Sequence, residues 1–185
     1  MSTTPPTLRL AVCLFPDLTL LDFIGPVQVF GMLEPKNIQA HAALYPKLPP
    51  VQIEVTYFSH DRAPVVGDVG PGLIPQRTYG EALEKFEQYD LILVPGGVSQ
   101  PDGSTGFLTT SPRFGGFFLT GIRAAPDTVD PSLIEFLKTQ TPGARYILTV
   151  CTGSWILAGT GWLNGKKATT NKAFFERVVV RSRAG

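Results

Sequence analysis

Cysteine and histidine are scarce in this sequence, with two of each among 185 residues. Cys13 and Cys151 both sit in apolar, strand-like contexts. That placement argues against a disulfide framework and for a reducing compartment. His41 and His60 are scattered, and with two cysteines they are too few for a ligand cluster, so neither a metal nor a cofactor is expected. An excess of one charge sign is lacking as well: 16 basic residues face 15 acidic ones, for a net charge of +1. No basic face announces a nucleic acid or an acidic membrane as partner. Long apolar runs are absent, none approaching the ~20 residues that span a bilayer. Met1 to Thr7 lacks the basic start and apolar centre of a secretory signal. These absences lead to the expectation of a cytoplasmic protein that takes a small-molecule substrate, without nucleic acid and without membrane.

Glycine (19) and proline (17) are plentiful and imply many loops. The length suits one domain, residues 1–185, large enough for a core without staples. Leu8 to Leu14 predicts a first, central strand. The apolar spacing after it predicts a helix beginning near Ile24 or Gly25, with Pro26 in its first turn. Val51 to Ser59 and Tyr89 to Val94 predict two more strands, and Ala63 to Tyr79 a small β excursion. Gly80 to Gln88 predicts a short helix, and Pro131 to Gln140 another, capped by Asp130. Asn164 to Thr170 predicts a turn and short strand, and Asn171 to Val180 a last helix. Val98 to Asp130 lacks periodicity and suggests a lid or partial disorder, with Phe107, Phe114, Phe117 and Phe118 to cover a pocket or pack on the sheet. Strand and helix alternate throughout, so the fold class is α/β with a mostly parallel sheet. Ligands in such folds gather at the carboxyl ends of strands. Asp17 to Asp22, Pro95 to Gly97 and Cys151 to Gly153 should therefore converge on one edge.

The most informative stretch is Tyr146-Ile147-Leu148-Thr149-Val150-Cys151-Thr152-Gly153-Ser154. A buried strand stops at a cysteine and turns abruptly into a helical pattern. Such a turn lifts its central side chain above the sheet, the geometry of a nucleophile elbow. Gly153 fits because a larger side chain would collide across the turn. Thr149 replaces the first glycine of the usual pattern, so the match is partial. A thiol at a helix start feels unpaired N–H groups that favour thiolate. A small buried hydrophobe is the alternative for Cys151, and a helix cap is the alternative for Asp22.

Three segments together resemble the DJ-1/PfpI superfamily, relatives of the class I glutamine amidotransferases. They are Leu21-Asp22-Phe23-Ile24-Gly25-Pro26, Asp90 to Gly97 and Thr149 to Ala158, the last backed by Leu163 to Thr170. The Leu-Asp-x-x-Gly-Pro opening resembles the isonitrile hydratase-like branch in particular. The resemblance implies a flavodoxin-like three-layer sandwich, commonly a homodimer. It implies Cys151 as nucleophile, Asp22 as its acidic partner and Thr152 as a hydrogen-bonding residue beside it. It also implies Gly96 and Gly97 as N–H donors of an oxyanion or substrate pocket. Relatives continue past the equivalent of Gly185 with another strand and a C-terminal helix, so these are expected to be lacking here.

The sequence departs from the pattern where many relatives read Thr-Thr-His, because Thr169-Thr170 is followed by Asn171. Thr152 also stands where some relatives place a histidine after the nucleophile. A Cys-His-acid triad thus lacks its base, which counts against proteolysis and glutamine hydrolysis. Isonitrile hydration, a lyase reaction, needs one nucleophile and one acid/base. Two alternatives are a redox sensor oxidised at Cys151 and a glyoxalase or deglycase-like activity.

Overall fold

The computed structural model describes residues 5–44, 47, 49–97, 109–110, 117–118, 125–172 and 175. Strand β1 (Thr7–Cys13) leads to helix α1 (Leu20–Gly31) and the short α2 (Pro35–Ala40). Then come β2 (Gln52–Ser59), β3 (Arg77–Thr78), α3 (Tyr79–Glu84) and β4 (Leu91–Val94). Two dipeptide strands, β5 (Thr109–Thr110) and β6 (Phe117–Phe118), pair antiparallel on their own. The described chain closes with α4 (Pro131–Gln140), β7 (Tyr146–Thr149) and α5 (Gly153–Ala158).

The main sheet has the order β3-β2-β1-β4-β7, and every pairing in it is parallel. β1 is central because its last four residues, Leu10 to Cys13, are apolar on both faces and fully buried. All four residues of β4 are buried in the same way, as a parallel strand covered on both faces requires. The chain runs outward from β1 to β2 and β3, then returns to β4 on the other side of β1. Strand order therefore reverses between β1 and β4, and a crevice opens at their carboxyl ends. Helices α1 and α2 lie on β2, whereas α3, α4 and α5 pack in succession against one another. This is the flavodoxin-like α/β sandwich.

Beneath the helices, Phe58, Tyr79, Tyr89 and Phe136 form an aromatic cluster with ring centroids 5.2–6.4 Å apart. Offset and edge contacts of this kind add to what burial alone contributes. The Tyr79 hydroxyl donates to the Leu14 carbonyl at 2.9 Å, which satisfies a buried polar group. Cys13 is wholly buried in this core, and desolvation pushes its thiol up, so it packs as a hydrophobe.

Several boundaries differ from expectation. Helix α1 begins at Leu20, so Pro26 lies inside it and removes the N–H that would reach back to the Asp22 carbonyl. Its cap position is Thr19, which makes no side-chain cap; Asp68 accepts the Leu20 N–H at 3.1 Å from the neighbouring loop instead. A cap supplied across a loop leaves no local signature, which is why the sequence points to a later start. The excursion between Ala63 and Tyr79 holds one antiparallel bridge, Val65 with Leu73, followed by β3. Residues 164–166 form a turn and bend and 167–170 join no ladder, so the strand expected there is absent. Most of the expected helix Asn171–Val180, all but Asn171, Lys172 and Phe175, and most of Val98–Asp130, with Phe107 and Phe114, lie outside the described residues. Asp130 caps α4 as expected, accepting the Ser132 N–H at 2.9 Å.

At the amino end of the sheet one carboxylate holds two strands together. Glu87 accepts from Arg9 and from Arg77, each at 2.6 Å, and from the Tyr89 hydroxyl at 3.1 Å. The Arg77 and Arg9 guanidiniums depress its carboxyl from the ordinary 4.5 to about 2. A depressed folded value means the stabilisation is present above pH 4.5 and disappears as pH falls toward 2. Glu87→Gln is expected to cost about 1 kcal/mol at neutral pH, a modest figure because the cluster is partly solvated. Thermal melts of both proteins should converge as the pH is lowered from 5 to 2. A gap that stays constant over that range would show that the charge contributes nothing.

Candidate active site

The loop after β1 is sewn to the end of β4. Leu18 bridges Gly97, and the Thr19 N–H donates to the Gly96 carbonyl at 2.8 Å. This places the first turn of α1 over the Pro95–Gly97 corner. Asp22, in that turn, accepts the Gly96 N–H at 3.2 Å through Oδ2. The cap alternative for Asp22 is thereby set aside: the residue stands three positions into the helix, and its carboxyl faces the sheet edge.

Cys151 follows β7 with φ of 52°, a left-handed conformation that a non-glycine residue rarely adopts. Holding it there costs on the order of 1–3 kcal/mol and needs surrounding restraint. The restraint is visible. The Val150 N–H donates to the Val94 carbonyl at 3.1 Å, and the Gly153 N–H to the Val150 carbonyl at 2.9 Å. The Cys151 carbonyl accepts from the Ser154 hydroxyl at 3.0 Å and from Thr170 at 3.3 Å. The Ser154 and Thr170 hydroxyls also lie 2.7 Å apart, tying the elbow to the segment after α5. Gly153 is required because any β-carbon there would overlap the Val94 carbonyl oxygen and approach that of Pro95 to 2.7 Å.

The three candidate side chains meet at one point. A β-carbon placed on Gly96 would stand 2.6 Å from Asp22 Oδ2, 2.9 Å from Cys151 Cβ and 3.0 Å from Thr152 Oγ1. The Asp22 carboxyl and the Cys151 side chain thus share the corner beside Gly96. Burial pushes this carboxyl up from its ordinary value, and the charge of Asp68 acts in the same direction. The Gly96 N–H and the Cys151 contact offset part of that rise. Cys151 itself is half-buried.

Thr152 and the two glycines are joined by hydrogen bonds at the same corner. The buried Thr152 hydroxyl accepts the Gly97 N–H at 3.1 Å and lies 3.3 Å from the Gly97 carbonyl. The Gly96 N–H is directed at Asp22. The N–H groups of both glycines therefore donate to protein side chains, Gly96 to Asp22 and Gly97 to Thr152. The physical reason is the bridge between Leu18 and Gly97, which brings the β1 loop onto this corner.

Asn171 is the residue that motif reading passed over. Its Nδ2 donates to Cys151 Sγ at 3.1 Å. The signal was present as the replacement of histidine after Thr169-Thr170, but contact with the sulfur depends on how residues 160–171 return to the elbow. Neither histidine reaches this site: His41 contacts the Asn37 carbonyl at 2.9 Å and His60 pairs with Asp61 at 3.2 Å. Among the described residues no group of three or more His, Cys, Asp or Glu is arranged to hold a metal ion. Nor is any described helix long and apolar enough to cross a membrane.

The profile of the DJ-1/PfpI family matches residues 107–184, the span that carries the elbow. Isonitrile hydratase from Pseudomonas putida is 28% identical over 169 residues, covering 91% of this chain and 54% of that protein. A ThiJ/PfpI family protein from Pseudomonas syringae superposes with a TM-score of 0.60 at 24% identity, over 89% of this chain and 50% of that one. The chain is thus similar to the DJ-1/PfpI family over its elbow-bearing part and shares the family's fold. It spans about half the length of the Pseudomonas putida relative. The same architecture occurs in an AraC family transcriptional regulator from Pseudomonas putida, with a TM-score of 0.56, 18% identity and coverage of 95% of this chain and 73% of that one. Beside the thiol stand the Asn171 amide and, next in the chain, Thr152. No imidazole is found beside the thiol among the described residues.

Proposed function

We propose that this chain is a cysteine-dependent enzyme of the isonitrile hydratase type. The observation that carries the reading is the convergence of the Asp22 carboxyl and of Cys151, on its strained elbow, beside Gly96. Similarity to Pseudomonas putida isonitrile hydratase supports the choice of substrate class.

The chemistry follows from two groups. An isonitrile R–N≡C has a terminal carbon open to nucleophiles. The Cys151 sulfur forms an S–C bond to it while Asp22 delivers one proton to that carbon, giving the thioimidate R–N=CH–S. Asp22, now a carboxylate, takes a proton from a water that adds to the same carbon. The S–C bond then breaks, the nitrogen keeps one proton, and R–NH–CHO leaves. Cys151 and Asp22 return with their starting proton. One water is consumed, and no oxidant or reductant enters. A carboxyl raised by burial suits both steps, because it holds its proton nearer to neutral pH than an exposed one.

Incubating the protein with an alkyl isonitrile should yield the N-alkylformamide, measured by chromatography. Cys151→Ala is expected to abolish formation, a loss of at least ~10³-fold. Undiminished turnover in that variant would remove the nucleophile from the reading. Selective oxidation of Cys151 by mild peroxide without any formamide would favour the sensor alternative.

A further inference from the structure

We infer that the cavity between the carboxyl ends of β1 and β2 and the start of α4 is a binding site for a primary ammonium ion on a short apolar chain. In the reaction proposed above, on which this second step rests, it receives the far end of the substrate. The cavity holds about 280 Å³ and is lined by Phe15, Pro16, His60, Thr128, Val129 and Asp130. Pockets for drug-sized molecules begin at roughly 300 Å³, so the occupant is a smaller one. Phe15 and Val129 are buried and give the cavity an apolar wall, against which several methylene groups can leave water.

The polar groups of the lining are committed to the protein, with one exception. The Thr128 hydroxyl accepts the Ala125 N–H at 3.2 Å and donates to the Ala125 carbonyl at 3.0 Å. The His60 ring pairs with Asp61 through Nε2 at 3.2 Å, and its Nδ1 lies 3.4 Å from the buried Ser59 hydroxyl. Asp130 is the exception. It accepts the Ser132 N–H at 2.9 Å and the Ser132 hydroxyl at 2.6 Å, both on Oδ1. Among the described residues no hydrogen bond reaches its Oδ2. The Ser132 bonds, with His60 nearby, hold this carboxyl below its ordinary 3.8, so it is charged at neutral pH. Neither lysine nor arginine lines the cavity, and Arg62 is drawn away to Glu81 at 2.6 Å and to the Gln76 carbonyl at 2.8 Å. Asp61 adds a second carboxylate behind the His60 ring. An anion is repelled by this pair, whereas an ammonium ion gains a charge-assisted bond to Oδ2.

The cavity adjoins the elbow through one aromatic ring. A β-carbon on Gly97 would stand 3.0 Å from Phe15 Cε2, and the Gly97 N–H donates to Thr152, next to Cys151. Phe15 thus borders both the cavity and the Gly96–Gly97 corner. Both lie at the carboxyl edge, where ligands of such sheets collect.

Amide NMR titration with pentylammonium chloride tests the site directly, with pentanol and pentanoate as controls. The ammonium ion is expected to shift the His60, Val129 and Asp130 signals at a concentration about 3–5-fold lower than pentanol, the contribution of one partly solvated ion pair. Pentanoate should leave them in place. Asp130→Asn keeps the helix cap and should remove the preference, as should salt at about 1 M, where charges are screened within ~3 Å. Equal binding of ammonium ion and alcohol, or a preference that survives Asp130→Asn, would overturn the site. Turnover tests its place in the reaction. Pentyl isonitrile bearing a terminal ammonium group should show a kcat/KM about 3–5-fold above that of pentyl isonitrile itself, and Asp130→Asn should level the two. Turnover without that preference would sever the cavity from the substrate. Ammonium binding as expected, with formamide from neither isonitrile, would retain the cavity and discard the isonitrile reading.

Discussion

Asp22→Asn is expected to lower isonitrile turnover by about 10²–10⁴-fold, the usual contribution of a positioned proton donor. The amide oxygen still accepts the Gly96 N–H, so geometry is kept and only the proton is lost. Stability should move the other way. Burial raises the folded-state value of the Asp22 carboxyl above its ordinary 3.8. The folded protein thus holds this proton more tightly than the unfolded chain does. The associated stabilisation is fully present below 3.8 and is lost as pH rises through the raised folded value. At neutral pH an uncharged side chain avoids that loss, so the variant should melt at or above the wild-type temperature. Reduced turnover with an unchanged or higher Tm is the signature of an acid kept at some cost to the fold. Turnover within a few-fold of wild type would exclude Asp22 from proton transfer.

Gly153→Ala should cause the largest loss of stability. The added methyl meets the carbonyl oxygens of Val94 and Pro95, which are backbone atoms. The Val94 carbonyl is already engaged by the Val150 N–H, so the strand end cannot yield without breaking the β4–β7 junction. A cost of about 3 kcal/mol is expected for such overpacking, or a Tm lower by roughly 6–12 °C in a chain of this size. Gly25→Ala provides the contrast. Nothing lies within 4 Å of a β-carbon there, and the residue is inside α1. Gaining alanine in a helix should stabilise by roughly 0.5–1 kcal/mol. Equal melting temperatures for the two variants would mean that the elbow tolerates crowding.

Periodicity located most of the elements because their burial is dictated locally. β1 and β4 are apolar without interruption and are covered on both faces, and Asp130-Pro131 announces the start of α4. The start of α1 was not legible in the same way, since its cap is Asp68, almost 50 positions away in the chain. The strand expected within residues 164–170 failed for a related reason. Short β-branched runs become strands only where a partner edge is available, and this segment instead bonds to the elbow through Thr170.

The candidate site divides along similar lines. Cys151 and Gly153 were legible because the elbow is one local turn, in which spacing alone fixes which side chain is raised and which must be small. Asp22 and Gly96 were legible as strand-end residues of an α/β chain. Their hydrogen bond exists because strand order reverses between β1 and β4. What the two glycine donors face, and the arrival of Asn171 at the sulfur, were decided by the tertiary structure. Spacing along the chain determines which side chains reach a sheet edge, but a hydrogen bond between distant segments depends on a fraction of an ångström that only packing supplies.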